Sequence, residues 1–147
     1  MVIIAQLATS FVAASGFGIL FNAPAQRLWQ CGTIGMAGWI LYYGLVQQGM
    51  YVVPATTFAA MLVAVMTQIC AKVYKTPIIV FHVSGVIPLV PGGVAYDAMR
   101  NFVENDYNTA VQLSAQVMLL AGGIAIGLMF SEVVNQLIKK FPLKQKR

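Results

Sequence analysis

Charge is what this sequence has least of. Nine Lys+Arg and four Asp+Glu make 9% of its 147 residues, against about one quarter in an average soluble domain. A domain this small has much surface for its volume and needs polar residues to cover it. The shortage excludes a soluble enzyme, a disordered chain and a nucleic-acid binder. Histidine occurs once and cysteine twice. Cys31 and Cys70 are too isolated for a disulfide framework or a metal site, and read as small apolar residues. There is no Walker loop, no set of paired Cys or His ligands, no glycine-rich dinucleotide turn after a strand and no nucleophile–base constellation. The chain is therefore not expected to be an enzyme or to hold a metal or cofactor. No low-complexity stretch or long linker divides it, so residues 1–147 read as one transmembrane domain.

What is abundant is apolar: 59% of residues are hydrophobic and the mean hydropathy is +0.78. The solvent this implies is lipid. The spacing predicts an all-α membrane protein with about five transmembrane helices, over 2–21, 29–46, 53–71, 77–103 and 109–138. The apolar N-terminus lacks a positive leader and is too long for a signal peptide, so it reads as a retained first span. Trp29, Tyr42, Tyr43 and Tyr51 read as interfacial anchors. Five crossings put Arg27, Lys72, Lys75, Lys139, Lys140, Lys144, Lys146 and Arg147 on one side and Arg100 alone on the other. A fourth stretch that dipped in and returned would divide the charges nearly evenly. The positive-inside rule selects five crossings, with the N-terminus outside and the C-terminus in the cytoplasm. Small residues at helical spacing (Ala14 and Gly18; Gly32, Gly35 and Gly38; Gly123, Gly127 and Ser131) mark faces where helices pack closely, within the chain or with a partner.

The fourth span carries the chemistry. Pro88, Pro91, Gly92 and Gly93 fall within six positions, enough to break a helix over Pro88–Gly93 rather than bend it. Fourteen residues from Pro77 to Val90 make roughly 21 Å of helix, so the break is expected inside the ~30 Å hydrocarbon core, somewhat beyond its middle. Irregular backbone at that depth survives only in protein or beside a wet cavity, and broken helices of this kind build many transporter sites. The amides opening the second half-helix would favour an anion such as a carboxylate. A proline kink that only shapes the bundle is the alternative. Tyr96, Asp97 and Arg100 lie within about a turn of one another: either they face a cavity, or Asp97 and Arg100 form a packing pair at the outer interface. His82, and with it Asp97, are candidates for a proton relay, although a histidine satisfied by a neighbouring helix is the plainer reading. Glu132 is expected near the cytoplasmic headgroups, answering the lysines. Glu104 and Asp106 are expected as solvated caps in the outer loop.

The run from Val86 to Tyr96, with Pro88, Pro91, Gly92 and Tyr96 in place, resembles the threonine/serine exporter (ThrE) family, in particular the small YjjB-type subunit of its split form. Phe21, Asn22 and Pro24, followed by Arg27, give a second point of resemblance, and length and span pattern agree over nearly the whole chain. The resemblance implies a subunit of a bacterial plasma-membrane secondary transporter exporting threonine and serine, or dicarboxylates such as succinate. It implies a larger ThrE-type membrane subunit, or further copies of the chain, as partners. It adds Asn22 to the candidate substrate-binding residues Pro88, Pro91, Gly92, Gly93, Tyr96, Asp97 and Arg100; Asp97 and Arg100 stand outside its signature. A channel-forming or non-transporting assembly subunit is the competing reading, although no continuous polar stripe suggests a pore.

Overall fold

Long apolar runs punctuated by Gly, Pro and Asn give helices and short turns. The computed structural model describes residues 2–140. Six helices follow one another: α1 (Val2–Leu20), α2 (Leu28–Gln47), α3 (Val52–Tyr74), α4 (Ile78–Val86), α5 (Gly92–Val103) and α6 (Tyr107–Lys140). Short 3-10 turns precede α2 (Ala25–Arg27) and follow α4 (Ile87–Leu89). Asn22, Lys75 and Asn105 take left-handed backbone at the ends of α1, α3 and α5, a conformation that Asn tolerates better than most residues. Pro54 sits in the first turn of α3, where its missing N–H costs nothing.

Three helices are long and apolar enough to cross a membrane: Ile3–Leu20, Val52–Tyr74 and Tyr107–Val133. The pair Ile78–Leu89 and Gly92–Val103, bent by 55°, makes a fourth if it is one span. At 20 residues α2 has the length of a span. Its glycines, glutamines and aromatic residues keep it out of that group, and it is sheathed by α1, α3 and α4. About five spans is thus a fair description of this all-helical chain.

Packing fixes the direction of each helix. A Cβ on Gly35 would lie 2.5 Å from that of Ala14, and one on Gly18 would meet Leu28 at 2.9 Å, so α1 and α2 run antiparallel. Thr67 meets His82 at 3.4 Å while Gly85 packs against Val63, so α3 and α4 are antiparallel too. By contrast Gly123 packs against Val53 and Thr57, Gly127 against Thr57, Ala60 and Met61, and Gln68 reaches Ser131 and Glu132. Here numbers rise together, so α3 and α6 are parallel. The chain that leaves α3, passes the bend and returns in α6 has therefore crossed the bundle between them. The fourth segment crosses rather than dipping and returning.

These directions gather the turns at 21–27 and 75–77 and the end of α6 at one end of the bundle, with Arg27, Lys72, Lys75, Lys139 and Lys140 on or beside them. The Arg27 guanidinium lies 4.4 Å over the Tyr74 ring, a contact of about 0.5–1 kcal/mol at an exposed site. The turns at 48–51 and 104–106 lie at the opposite end. The tail residues Lys144, Lys146 and Arg147 lie outside the described residues.

The core lies where α2, α3 and α4 meet: Cys31, Ile34, Ala59, Ala60, Val63 and Phe81 are fully buried. Its small side chains let backbones approach, which is what holds helices together where lipid removes the hydrophobic drive.

Candidate functional site

Pro88 and Pro91 interrupt the fourth span as their chemistry requires. A helical Pro has no N–H to give and its ring crowds the preceding turn. The α4 helix ends at Val86, the chain tightens into the Ile87–Leu89 turn, Val90 is extended and α5 begins at Gly92. The break is anchored on both flanks. A Cβ on Gly35 would lie 3.2 Å from the Pro88 ring, and Leu89 is buried beside Gly38. These partners place it level with the first half of α3, nearer the end opposite the lysines.

A cavity of about 260 Å³ opens at the break, lined by Pro88, Leu89, Val90, Pro91 and Val94, by Trp39 and Tyr42 of α2, Val52 and Thr56 of α3, and Gln116 and Leu120 of α6. Thr56 donates its hydroxyl proton to the Val52 carbonyl at 2.8 Å, which commits that proton and leaves the oxygen able only to accept. No side chain caps α5. The Gly92 amide is held by the Val90 carbonyl at 2.8 Å, and Ala95 bonds Pro91. The amides still available at this helix start are those of Gly93 and Val94.

The sequence-derived candidates divide. Pro88 and Pro91 line the cavity and Gly92 and Gly93 adjoin it; a Cβ on either glycine would meet nothing within 4 Å. Tyr96, Asp97 and Arg100 do not line it and are exposed on α5. Arg100 pairs with Glu104 at 2.9 Å, one turn on, rather than with Asp97; the i,i+4 partner lies on the same face. Glu104, expected as a solvated cap, is thus an ion-pair partner. Asn22 shapes the turn after α1 at the other end of the bundle. His82 sits at the middle of α4, half-buried against Thr67, and is not brought together with Asp97. Sequence reasoning missed Thr56 and Gln116, polar residues in apolar spans, and read Tyr42 as an interfacial anchor without seeing that it packs on Trp39 at 5.2 Å between centroids and lines the cavity. Their polarity was visible; their convergence was not. Among the described residues no group of His, Cys, Asp and Glu could hold a metal ion, and both cysteines are free.

Residues 6–134 match the family model described as Threonine/Serine exporter, ThrE. The chain belongs to this family. A Haemophilus influenzae (strain ATCC 51907 / DSM 11121 / KW20 / Rd) relative, named only as an uncharacterized protein, is 30% identical over 93 residues, 63% of this chain. The matched segment spans 31% of that relative's length, so this exporter-family chain corresponds to less than a third of it. No solved structure matches the chain. The matched stretch contains both the break and the helices lining its cavity, and the family consists of transporters.

Proposed function

We propose that this chain is one subunit of a bacterial plasma-membrane secondary exporter of small carboxylate-bearing solutes, threonine and serine or dicarboxylates such as succinate. The observation that carries the reading is the cavity at the broken span. Its volume lies below the ~300–1,000 Å³ of pockets for drug-sized ligands, a scale suited to a smaller solute. Free amides at the start of α5 favour an anionic group there. Tyr42, Thr56 and Gln116 add polar atoms to an otherwise apolar wall. Tyr96, Asp97 and Arg100, exposed on α5, serve the site in this reading from the solvent side, where solute enters or leaves. The N-terminus is placed outside and the basic end in the cytoplasm.

The cavity is open and its glycine edge is bare, so a second subunit, the larger ThrE-type half or another copy of this chain, completes the enclosure. Correspondence to only part of a relative's length fits a function divided between chains.

The test is efflux of labelled threonine or succinate from vesicles carrying this chain with its larger partner. Filling the cavity with Val94→Phe should cut efflux by about tenfold or more, the scale of about 1.4 kcal/mol of lost solute binding, while membrane abundance holds. Gly92→Val meets nothing in this chain, so a loss of efflux there reports on solute or partner. Full efflux with Val94→Phe would remove the cavity from the solute's path.

A further inference from the structure

A second polar cluster lies nearer the basic end, where α3, α4 and α6 meet, and the cavity at the break does not use it. Consecutive residues of α3 hold it together. The Thr67 hydroxyl gives its only proton to the Ala64 carbonyl at 2.8 Å and also contacts His82 Nδ1 at 3.4 Å. With that proton committed, the hydroxyl can only accept from the ring. His82 therefore carries a proton on Nδ1, which leaves Nε2 as its basic nitrogen. On the next residue, the buried Gln68 amide donates to Glu132 Oε2 at 3.2 Å and to Ser131 Oγ at 3.4 Å. Gln136 donates to the other Glu132 oxygen at 3.4 Å. Glu132 also lies within electrostatic reach of His82.

Gln68 is six residues before the end of α3 at Tyr74, or about 9 Å along the helix. Its partner Glu132 closes the apolar stretch Tyr107–Val133 of α6 and is exposed there. A carboxylate at the edge of an apolar span, bonded by a buried amide, marks a functional site by default, especially with a partner at hand. The surrounding titratable and charged groups are few. The α1 helix has none. Cys31 of α2 faces α4 and donates to the Val80 carbonyl at 3.7 Å. On α3 are Cys70, Tyr74 (stacked near Phe81 and covered by Arg27) and Lys72, one turn beyond Gln68. His82 is the one titratable side chain of α4.

We propose that Glu132 and His82, held by Gln68 and Thr67, form a single proton-binding site in the cytoplasmic half of the membrane, the point at which transport is coupled to a proton gradient. Binding places one proton on a Glu132 oxygen or on His82 Nε2. The Gln68 and Thr67 bonds, which need no rearrangement for either state, keep the two groups in register. As coupling, the proposal rests on the exporter reading. As a proton site, it stands by itself and can be tested without any solute.

The probe is N,N′-dicyclohexylcarbodiimide, an apolar reagent that adds to protonated carboxyl groups. It would be applied to the full chain in native membranes over a pH series, with modified peptides read by mass spectrometry. Glu132 should be labelled several-fold more than Asp97, Glu104 or Asp106, increasingly as pH falls, and Glu132→Gln should remove that adduct. His82→Gln keeps a polar side chain but removes the other seat for the shared proton, so Glu132 labelling at low pH should rise about twofold or more and its pH profile should shift. Labelling of Glu132 no greater than of Asp97 or Glu104, or a profile that His82→Gln leaves in place, overturns the proposal. Either failure leaves the cavity and its efflux test untouched.

Discussion

Glycine at residue scale is a spacing device here, and each position can be judged by what a methyl group would strike. A Cβ on Gly127 would sit 2.5 Å from the Thr57 carbonyl oxygen and 3.1 Å from the Met61 amide nitrogen, both backbone atoms that cannot swing aside. A Cβ on Gly122, on the same helix, would meet nothing. Gly127→Ala should therefore push α6 off α3 and cost about 1–3 kcal/mol, whereas Gly122→Ala should be neutral or slightly stabilising through helix propensity. Thermal unfolding of the two variants in detergent, followed by loss of the monodisperse peak, separates these outcomes. Equal midpoints would mean that the α3–α6 contact is looser than described. The stripe of Gly123, Gly127 and Ser131 was legible in the sequence. That it meets α3, and not another subunit, was not, because a small-residue spacing names a close contact without naming its partner.

Among elements, α6 stands apart. Its 34 residues make about 51 Å of helix, more than a bilayer core needs. Because Gly123 is level with the start of α3, the turns from Tyr107 to about Gly122 continue past that helix and pair instead with α5. The cap at this far end is Asp106, whose Oδ1 accepts from the Thr109 amide at 3.3 Å. Hydrogen bonds from the Thr109 side chain and backbone hold the Asp106 carboxyl below its ordinary value. A carboxylate favoured by folding stabilises the first turn of α6 at all pH above the unfolded pKa, roughly 4, and that contribution is lost as pH falls through the lower folded value. Amide exchange in the first turn of α6, compared between the native chain and Asp106→Asn, should show extra protection in the native chain that fades below about pH 4. Protection that is the same in both at neutral pH would mean that the cap contributes nothing.

For the whole molecule, the question is which end faces the cytoplasm. The turns at 48–51 and 104–106 share one end and the basic turns share the other, so a single labelling experiment orients every helix. With Cys31 and Cys70 replaced by alanine, cysteines at Gln48 and Asn108 should react with an impermeant maleimide from outside intact cells. One at the exposed Gln26 should react only after permeabilisation. The reverse pattern would invert the proposed orientation, and labelling at Gln48 without Asn108 would mean that the fourth segment does not cross.

The sequence by itself determined the solvent, the helical class, the approximate spans, the break and the exporter-family signature around it. Each of these is a local or summed property: hydropathy over a window, a missing N–H at Pro88 and Pro91, a count of lysines on either side. Tertiary structure decided which side chains meet. It took Tyr96, Asp97 and Arg100 off the cavity wall and gave Arg100 to Glu104. It put Thr56 and Gln116 beside the break and drew Glu132 to Gln68, 64 positions away. Such encounters depend on which faces of the helices approach and at what height. That is set by the parallel register of α3 and α6 and by the glycines that let them close, and the spacing of residues along one helix does not contain it.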